Sequence, residues 1–321
     1  MVKMLTIGAA VQDIFMSHSP EFMPFEDKFD KKVFLKIEFG SKNDVDDINF
    51  STGGGATNAA VTFARQGLEV EFMGTIAHDT AGEAVLKDLD NEGVGTKHIS
   101  YSEKYHTGYS TVLIAPTGER TFLTYRGAST HYDIKHFDLS RSSADWLYIS
   151  SMAGDMEILD ELFSQAKELG KKVCYNPGKD ELKKISKLRA LLEDVDVLLV
   201  NKEEAQMIVD GETLEELVRK LLNHVSVVIV SDGQKGVMAS DGQTIVRAGM
   251  YEDVKVIDRT GAGDAFGSGF LSQWVIGKSL KDSIVFASAN STSVVTKIGA
   301  KAGILTKNSV LHAMPLNEKD L

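Results

Sequence analysis

The segment Gly261-Ala262-Gly263-Asp264 opens a helix whose apolar face carries Phe266, Phe270 and Trp274. With no Cβ at 261 or 263 and only a methyl at 262, several main-chain N–H groups can converge on one anion at the helix start, where the peptide dipoles also favour negative charge. Asp264 lies in the first turn. A carboxylate beside a bound phosphate would be repelled unless its charge had work to do, such as accepting a hydroxyl proton; a simple capping Asp is the plainer alternative.

Four other segments could bring chemistry to that anion hole. Gly53-Gly54-Gly55 follows the extended run Asp47-Ile-Asn-Phe-Ser and precedes a small-residue helix, Ala56 to Gln66, so main chain can approach a ligand closely. A dinucleotide fingerprint fails there, because Asn58 stands where the third glycine belongs; a tight strand-to-helix turn without a ligand stays open. Asp13 follows the first strand, Leu5 to Val11, at the carboxyl end where open α/β sheets place ligands, although Asp is also a common turn former. Asn201 and Glu204 follow the apolar strand Val195 to Val200 and share one side of a first helical turn, either as ligands of a hydrated cation or as an N-cap with its capping-box glutamate. Ser231-Asp-Gly-Gln-Lys-Gly236 leaves the strand Val225 to Val230, where Gly233 and Gly236 allow a ribose or phosphate to pass close; an ordinary hairpin explains it equally.

Taken together, the motifs resemble a known family. Asp258-Arg-Thr-Gly-Ala-Gly-Asp-Ala-Phe resembles the C-terminal signature of the ribokinase-like (PfkB-type) carbohydrate and nucleoside kinases, and Gly53-Gly-Gly-Ala-Thr-Asn-Ala-Ala resembles their N-terminal glycine signature, in the expected order about 200 residues apart. The resemblance implies a three-layer α/β sandwich with a mostly parallel central sheet and a small β-sheet lid. It implies Asp264 as catalytic base and the amides of Gly261, Ala262 and Gly263 as the phosphoryl cradle. Asp13 and Asn58, with the backbones of Gly53 and Gly54, would bind the acceptor. Asn201 and Glu204 would organise Mg²⁺ and phosphates through water, while Ser231, Gly233, Gly236 and Ser288 would lie along the nucleotide, with residues 286 to 300 beside its adenine. Asp258 and Thr260, with carbonyls near Val295 and Gly299, would bind a monovalent cation, K⁺. The activity implied is ATP-dependent transfer of the γ-phosphoryl group to a primary hydroxyl of a sugar, as in ribokinases and fructokinases. A nucleoside kinase is the alternative, and a non-catalytic sugar or nucleotide sensor a more remote one.

The chain departs from the ribose-specific pattern. Val11 stands where ribose kinases carry a sugar-binding Asn, Gly55 replaces a Lys, and no sugar-binding Glu is found near Met152. Arg259 occupies a usual Thr position and Ser288 a frequent Asn position. Apolar Val11 is shared with adenosine kinases and fructokinases. Arg126 could reach from the lid to an anionic or ketose substrate, or be a solvated surface charge.

These residues must be positioned by a framework. From about Val173 onward, strand-length apolar runs alternate with amphipathic stretches such as Met156 to Leu169 and Leu214 to Leu222, the pattern of βα units around a parallel sheet covered on both faces. Segments 15–50 and 107–126 lack helical periodicity, and Tyr109 to Tyr125 reads as two strands about the turn Pro116-Thr-Gly-Glu. They are assigned to a lid, with 1–14, 51–106 and 127–321 as the body. An exposed lid sheet has free edges that a second copy could cover, giving a homodimer.

Bulk properties agree with an enzyme of small molecules. The 321 residues carry 46 acidic and 35 basic side chains, a net charge of −11 with no basic stripe, which opposes binding to nucleic acid or anionic lipid. The first apolar run is interrupted by Gln12 and Asp13 before a signal core or membrane span could form, and the single cysteine, Cys174, excludes an intrachain disulfide. The setting expected is cytoplasmic. Gly277-Lys-Ser is not a P-loop, because Ser272 replaces its first glycine and 266–276 reads as helix; Gly277 reads as a helix stop. The eight histidines show no metal-binding spacing, and no nucleophile elbow supports a Ser/His/Asp triad.

Overall fold

A computed structural model describes residues 1–17, 19, 24–26, 33–115, 120–249, 254–311 and 316–321. The turn expected at Pro116 to Glu119 lies outside them. The chain opens with β1 (Lys3–Ile7) and β2 (Val11–Ser17). The pair β3 (Pro24–Glu26) and β4 (Val33–Leu35) precedes β5 (Asp47–Gly53), which runs into α1 (Gly55–Arg65). Then follow β6 (Glu69–Ile76), α2 (Thr80–Asn91), β7 (Gly95–Tyr101), β8 (Gly108–Ile114) and β9 (Arg120–Tyr125). The next stretch is β10 (Trp146–Ile149), α3 (Met156–Glu168), β11 (Lys172–Tyr175), α4 (Lys179–Leu182), α5 (Ile185–Leu191), β12 (Val197–Asn201), α6 (Lys202–Ile208) and α7 (Leu214–Leu221). The chain closes with β13 (Val227–Ser231), β14 (Val237–Ser240), β15 (Thr244–Ala248), α8 (Ala262–Trp274), α9 (Leu280–Val294) and β16 (Leu316–Asp320).

Among the described residues, ten strands form one sheet in the order β16-β15-β14-β13-β12-β11-β10-β1-β6-β7. Pairing is parallel from β7 to β13 and antiparallel through β14, β15 and β16. Alternate residues of the strands feed two cores: Leu198 and Val200 pack with α3, α6 and α7, whereas Val197 and Leu199 pack with α1, α8 and α9. Strands buried on both faces therefore read as unbroken apolar runs. This is a three-layer order of helix, sheet and helix, as the resemblance implies.

A second sheet, β5-β2-β8-β9, stands apart as the lid. Two strand boundaries differ from the sequence reading. The apolar stretch from Leu5 is not one strand: β1 ends at Ile7, the chain turns at Gly8 with φ 144°, and Val11 starts β2 in the small sheet. Asp13 is thus inside β2, paired with Ser51 and Ser110, and not in a strand-exit turn. For the same reason residues 11–14 and 51–53, assigned above to the body, contribute their ladder bonds to the small sheet.

Helices α1 and α8 bring the glycine signatures together. Ala56, Thr57, Asn58, Ala59 and Ala60 are buried small residues, so the α1 backbone approaches α8 closely, and the Ser268 hydroxyl donates to the Thr62 hydroxyl at 2.9 Å between them. Gly277, with φ 80°, follows the end of α8 at Trp274, and the amide of Lys278 bonds back to Gln273 at 3.2 Å, a glycine-stopped helix end.

Candidate active site

The cradle at the start of α8 is made of main chain. Gly261 caps the helix in the left-handed region at φ 75°, and a Cβ there would lie 2.4 Å from the Ala300 Cβ. Glycine alone meets both demands. At Gly263 a Cβ would meet nothing within 4 Å, so the space beside it is open. The first amides of a helix have no carbonyl one turn back to bond, and the N–H groups of Gly263 and Asp264 are available to an external anion.

Asp264 is held across the helix pair: its Oδ2 accepts a 2.8 Å hydrogen bond from Asn58 Nδ2. The side chain opens onto a cavity yet is enclosed by protein on most sides, and this desolvation raises its carboxyl above the ordinary value of 3.8, opposed by the Asn58 donor. Two buried polar atoms beside it, Asn58 Oδ1 and the Tyr148 hydroxyl, have no hydrogen-bond partner among the described residues. A buried acceptor left unsatisfied next to a carboxylate suits a ligand hydroxyl that donates to it.

A cavity of about 150 Å³ joins Asn176, Asn201, Glu204, Gly263 and Asp264. It shares Asn201, Ser231 and Gly263 with a larger one of about 560 Å³, which continues along Gly233, Gly236, Arg259, Ser288 and Val295. The cation and nucleotide candidates thus meet the cradle in one continuous space. Asn201 and Glu204 form a reciprocal capping box: Glu204 N–H donates to Asn201 Oδ1 and Asn201 N–H to Glu204 Oε2, each at 2.9 Å. Glu204 Oε1 and Asn201 Nδ2 stay outside that box, so the capping and ligand readings are compatible. Burial raises the Glu204 carboxyl, with the Asn201 amide and Lys179 acting against it. The segment after β13 is likewise both things at once, a hairpin connection into antiparallel β14 and a cavity wall.

On the lid side, Asp13 is buried at the floor of the small sheet. A Cβ at Gly53 would lie 2.3 Å from Asp13 Oδ2 and 3.3 Å from Val11 Cγ2. Gly54 has φ 102°, and a Cβ there would lie 2.2 Å from the Ala9 carbonyl oxygen. Both glycines are needed to bring β5 against the strand that carries Asp13. Burial raises the Asp13 carboxyl, opposed by the Ser110 hydroxyl and the charge of Lys301. The Arg126 main chain borders this group: a Cβ at Gly108, the ladder partner of Val11, would lie 3.1 Å from the Arg126 carbonyl oxygen and 2.6 Å from Val11 Cγ1. Arg126 is exposed, and its charge acts on Asp180.

Asp258 is buried and fully engaged. Its Oδ1 accepts from Thr260 N at 2.9 Å, from the Thr260 hydroxyl at 2.7 Å and from the Arg120 guanidinium of β9, while Oδ2 accepts from Gly299 N at 2.9 Å. The Val295 carbonyl accepts from the amides of Ile257 and Asp258. Among the described residues no cluster of three or more His, Cys, Asp or Glu could hold a metal.

The pfkB family carbohydrate kinase model matches residues 24–307. The chain belongs to that family. A ribokinase of Haemophilus influenzae is 28% identical over 274 residues, covering 81% of this chain and 86% of its own. A nucleoside kinase of Methanocaldococcus jannaschii is 26% identical over 265 residues, covering 82% of this chain and 85% of its own. In structure, a Cryptococcus neoformans ribokinase in complex with ADP superposes with a TM-score of 0.73 at 22% identity, covering 96% of this chain and 98% of that one. As a pfkB-family sugar or nucleoside kinase, the protein is a phosphotransferase acting on a hydroxyl group.

Sequence reasoning missed four groups near this candidate site. Asn176, whose Nδ2 donates to the Leu199 carbonyl at 2.8 Å, is the polar residue ending an apolar strand run, a signal that could have found it. Tyr148, Arg120 and Lys301 leave no local mark, because each meets its partners only through the tertiary fold.

Proposed function

We propose that the chain is an ATP-dependent kinase that transfers the γ-phosphoryl group to a primary hydroxyl of a sugar, in the manner of ribokinases and fructokinases. The observation that carries the reading is a single one: the Asp264 carboxylate and the helix-start amides share a cavity with Asn201 and Glu204. In this reading Asp13, Asn58 and the backbones of Gly53 and Gly54 hold the acceptor, with Val11 and Arg126 at its margins. Asp264 takes the hydroxyl proton as the oxygen attacks phosphorus, and the amides of Gly261, Gly263 and Asp264 hold the transferring group; the Ala262 amide, expected among them, donates instead to the Arg259 carbonyl at 3.2 Å. Strong basicity is not required, because phosphoryl transfer passes through a loose transition state in which positioning dominates. The oxygens of Asn201 and Glu204 suit a Mg²⁺ ion that keeps its own waters, which would neutralise phosphate charge there. Ser231, Gly233, Gly236 and Ser288 line the space for the nucleotide. An E. coli protein assigned as a ribokinase II, solved with ATP and Mg²⁺, shares the fold at a TM-score of 0.80 and 20% identity.

A nucleoside acceptor is the second reading. It is favoured by the apolar Val11 beside Asp13 and by the nucleoside kinase relative. A non-catalytic sensor is disfavoured because both Asp264 and the open cradle are intact. Ribose, fructose, 2-keto-3-deoxygluconate, adenosine and other nucleosides, each offered with ATP and Mg²⁺ while ADP release is followed, separate these readings. ADP release with none of them above the no-acceptor rate would sink the kinase assignment as drawn.

Asp258 and Thr260 would serve a K⁺ ion only when Arg120 withdraws, since guanidinium and cation compete for one carboxylate. Arg120→Met should therefore lower the half-saturating KCl concentration for turnover, against tetramethylammonium chloride at constant ionic strength, by about tenfold, or ~1.4 kcal/mol. An unchanged potassium curve would remove Arg120 as the competitor.

The outer face of the lid sheet exposes Ile48, Phe50, Leu123 and Tyr125, each 47% or more open to solvent. Alternation along paired strands puts them on one side, opposite Asp13 and Ser110. A second copy laying the same face against it would bury that patch and make a homodimer. Light scattering that finds only monomer at micromolar concentration would refute this. Among the described residues no helix is long and apolar enough to cross a membrane. A cytoplasmic setting, where ATP and Mg²⁺ are abundant, fits the proposed reaction.

A further inference from the structure

We propose that Lys301 is a positioning residue of the acceptor site, whose ammonium ties β5 to α2 and stands as the positive charge behind the Asp13 carboxylate. This rests on the reading of Asp13 as an acceptor ligand. Lys301 follows α9 in sequence, and its side chain is only 7% exposed. Lysine is almost never so deeply buried without partners, because desolvating an ammonium is costly. Here Nζ donates to the Thr52 hydroxyl at 2.7 Å and to Asp88 Oδ2 at 2.8 Å. The Thr52 hydroxyl donates to the same carboxylate oxygen at 2.5 Å. Thr52 pairs with Gln12 across the β2–β5 ladder and immediately precedes Gly53, the residue that makes room for Asp13 Oδ2.

The charges around this point decide what Lys301 does. From α2 comes Asp88, from the residue capping its end Glu92, from β2 Asp13, and from α1 Arg65; Ser110 of β8 hydrogen-bonds Asp13 without a charge of its own. Arg65 is committed to Glu92, with its Nε 2.9 Å from Oε2, and also donates to the Lys301 carbonyl at 2.9 Å. Three carboxylates thus face two cations. Glu92 has Arg65 and Asp88 has Lys301 in contact, whereas Asp13 has no ion pair among the described residues. Among the described residues the one opposing charge acting on it is that of Lys301, through space, and burial alone would otherwise favour its neutral form. A protonated Asp13 could accept fewer hydroxyl hydrogen bonds than the carboxylate, so acceptor affinity depends on a lysine that never touches the acceptor.

The test reads Asp13 directly. In full-length protein carrying ¹³C-carboxyl aspartate, with the Asp13 resonance assigned by its loss in Asp13→Asn, Lys301→Met should move the Asp13 titration to higher pH. Lys301→Arg should restore it. Asp88→Asn, which leaves the ammonium with one fewer contact carboxylate, should move it to lower pH, and carries the test alone if Lys301→Met does not fold. With whichever of ribose, fructose or adenosine turns over, Lys301→Met should lower kcat/KM at pH 6 roughly tenfold, mostly through KM, with kcat at saturation changed less than about threefold. An Asp13 titration unmoved by Asp88→Asn and by any folded Lys301→Met overturns the proposal. An unchanged KM in Asp13→Asn would instead overturn Asp13 as an acceptor ligand, and with it the acceptor-site role given to Lys301, even where the titration shifts as expected.

Discussion

Asp264→Asn is expected to lower turnover by roughly 10²–10⁴-fold with nucleotide affinity changed less than about twofold. Asparagine keeps the shape and can still accept from Asn58 Nδ2, so what is lost is the ability to take a proton. The same variant gives a second, independent sign. Burial sets the folded carboxyl above its unfolded value of 3.8, so ionisation costs stability above the raised value and nothing below the unfolded one. Asp264→Asn should therefore melt higher than the parent at pH 7, with the gap closing as the pH falls through the raised value toward 3.8. A capping aspartate would behave in the opposite way, losing stability and keeping turnover. Initial rates and melting curves on one preparation separate the two; near-parental turnover defeats the base assignment.

The second large effect is expected from Gly261→Ala. The new methyl combines a left-handed backbone with a contact 2.8 Å from the Ala300 Cα, which is main chain and cannot swing aside. Strain and overpacking together should cost about 2–5 kcal/mol, and displacement of the amides a further 10²–10³-fold in kcat. Gly263→Ala is the control: its methyl enters open space, so melting should hold within about 0.5 kcal/mol while the group held beside it is crowded. If Gly261→Ala turned over like the parent, the cradle would not be where phosphoryl transfer is held.

The large sheet was legible because its strands are buried on both sides. Val173 to Tyr175, Val197 to Val200 and Val227 to Val230 read as apolar runs, and the helices between them show their buried stripe. The break between β1 and β2 was not, since Gly8 is one more small residue inside an apolar stretch and only its backbone angle reveals the turn. Strand β16, Leu-Asn-Glu-Lys-Asp, is an exposed edge held by its ladder with β15, so no apolar alternation announces it. Of the candidate site, the two glycine signatures carried the most, because a missing Cβ can be read directly. The partners of Asp258 and Thr52 could not be read, since Arg120 and Lys301 lie 138 and 249 residues from them in sequence.

Of the groups assigned to the acceptor, Asn58 of α1 lies beside Asp264, but Asp13 and Gly53 stand on a different layer from the groups assigned to the phosphoryl donor. Asp13 and Gly53 belong to strands of the small sheet, whereas the cradle and Asn201 belong to elements of the large one. In this reading a nucleotide that arrives alone meets only half of a reaction chamber, and no ordered nucleophile waits beside it. Such an architecture would hold down idle hydrolysis, so that ATP would be consumed only when a second guest completes the room.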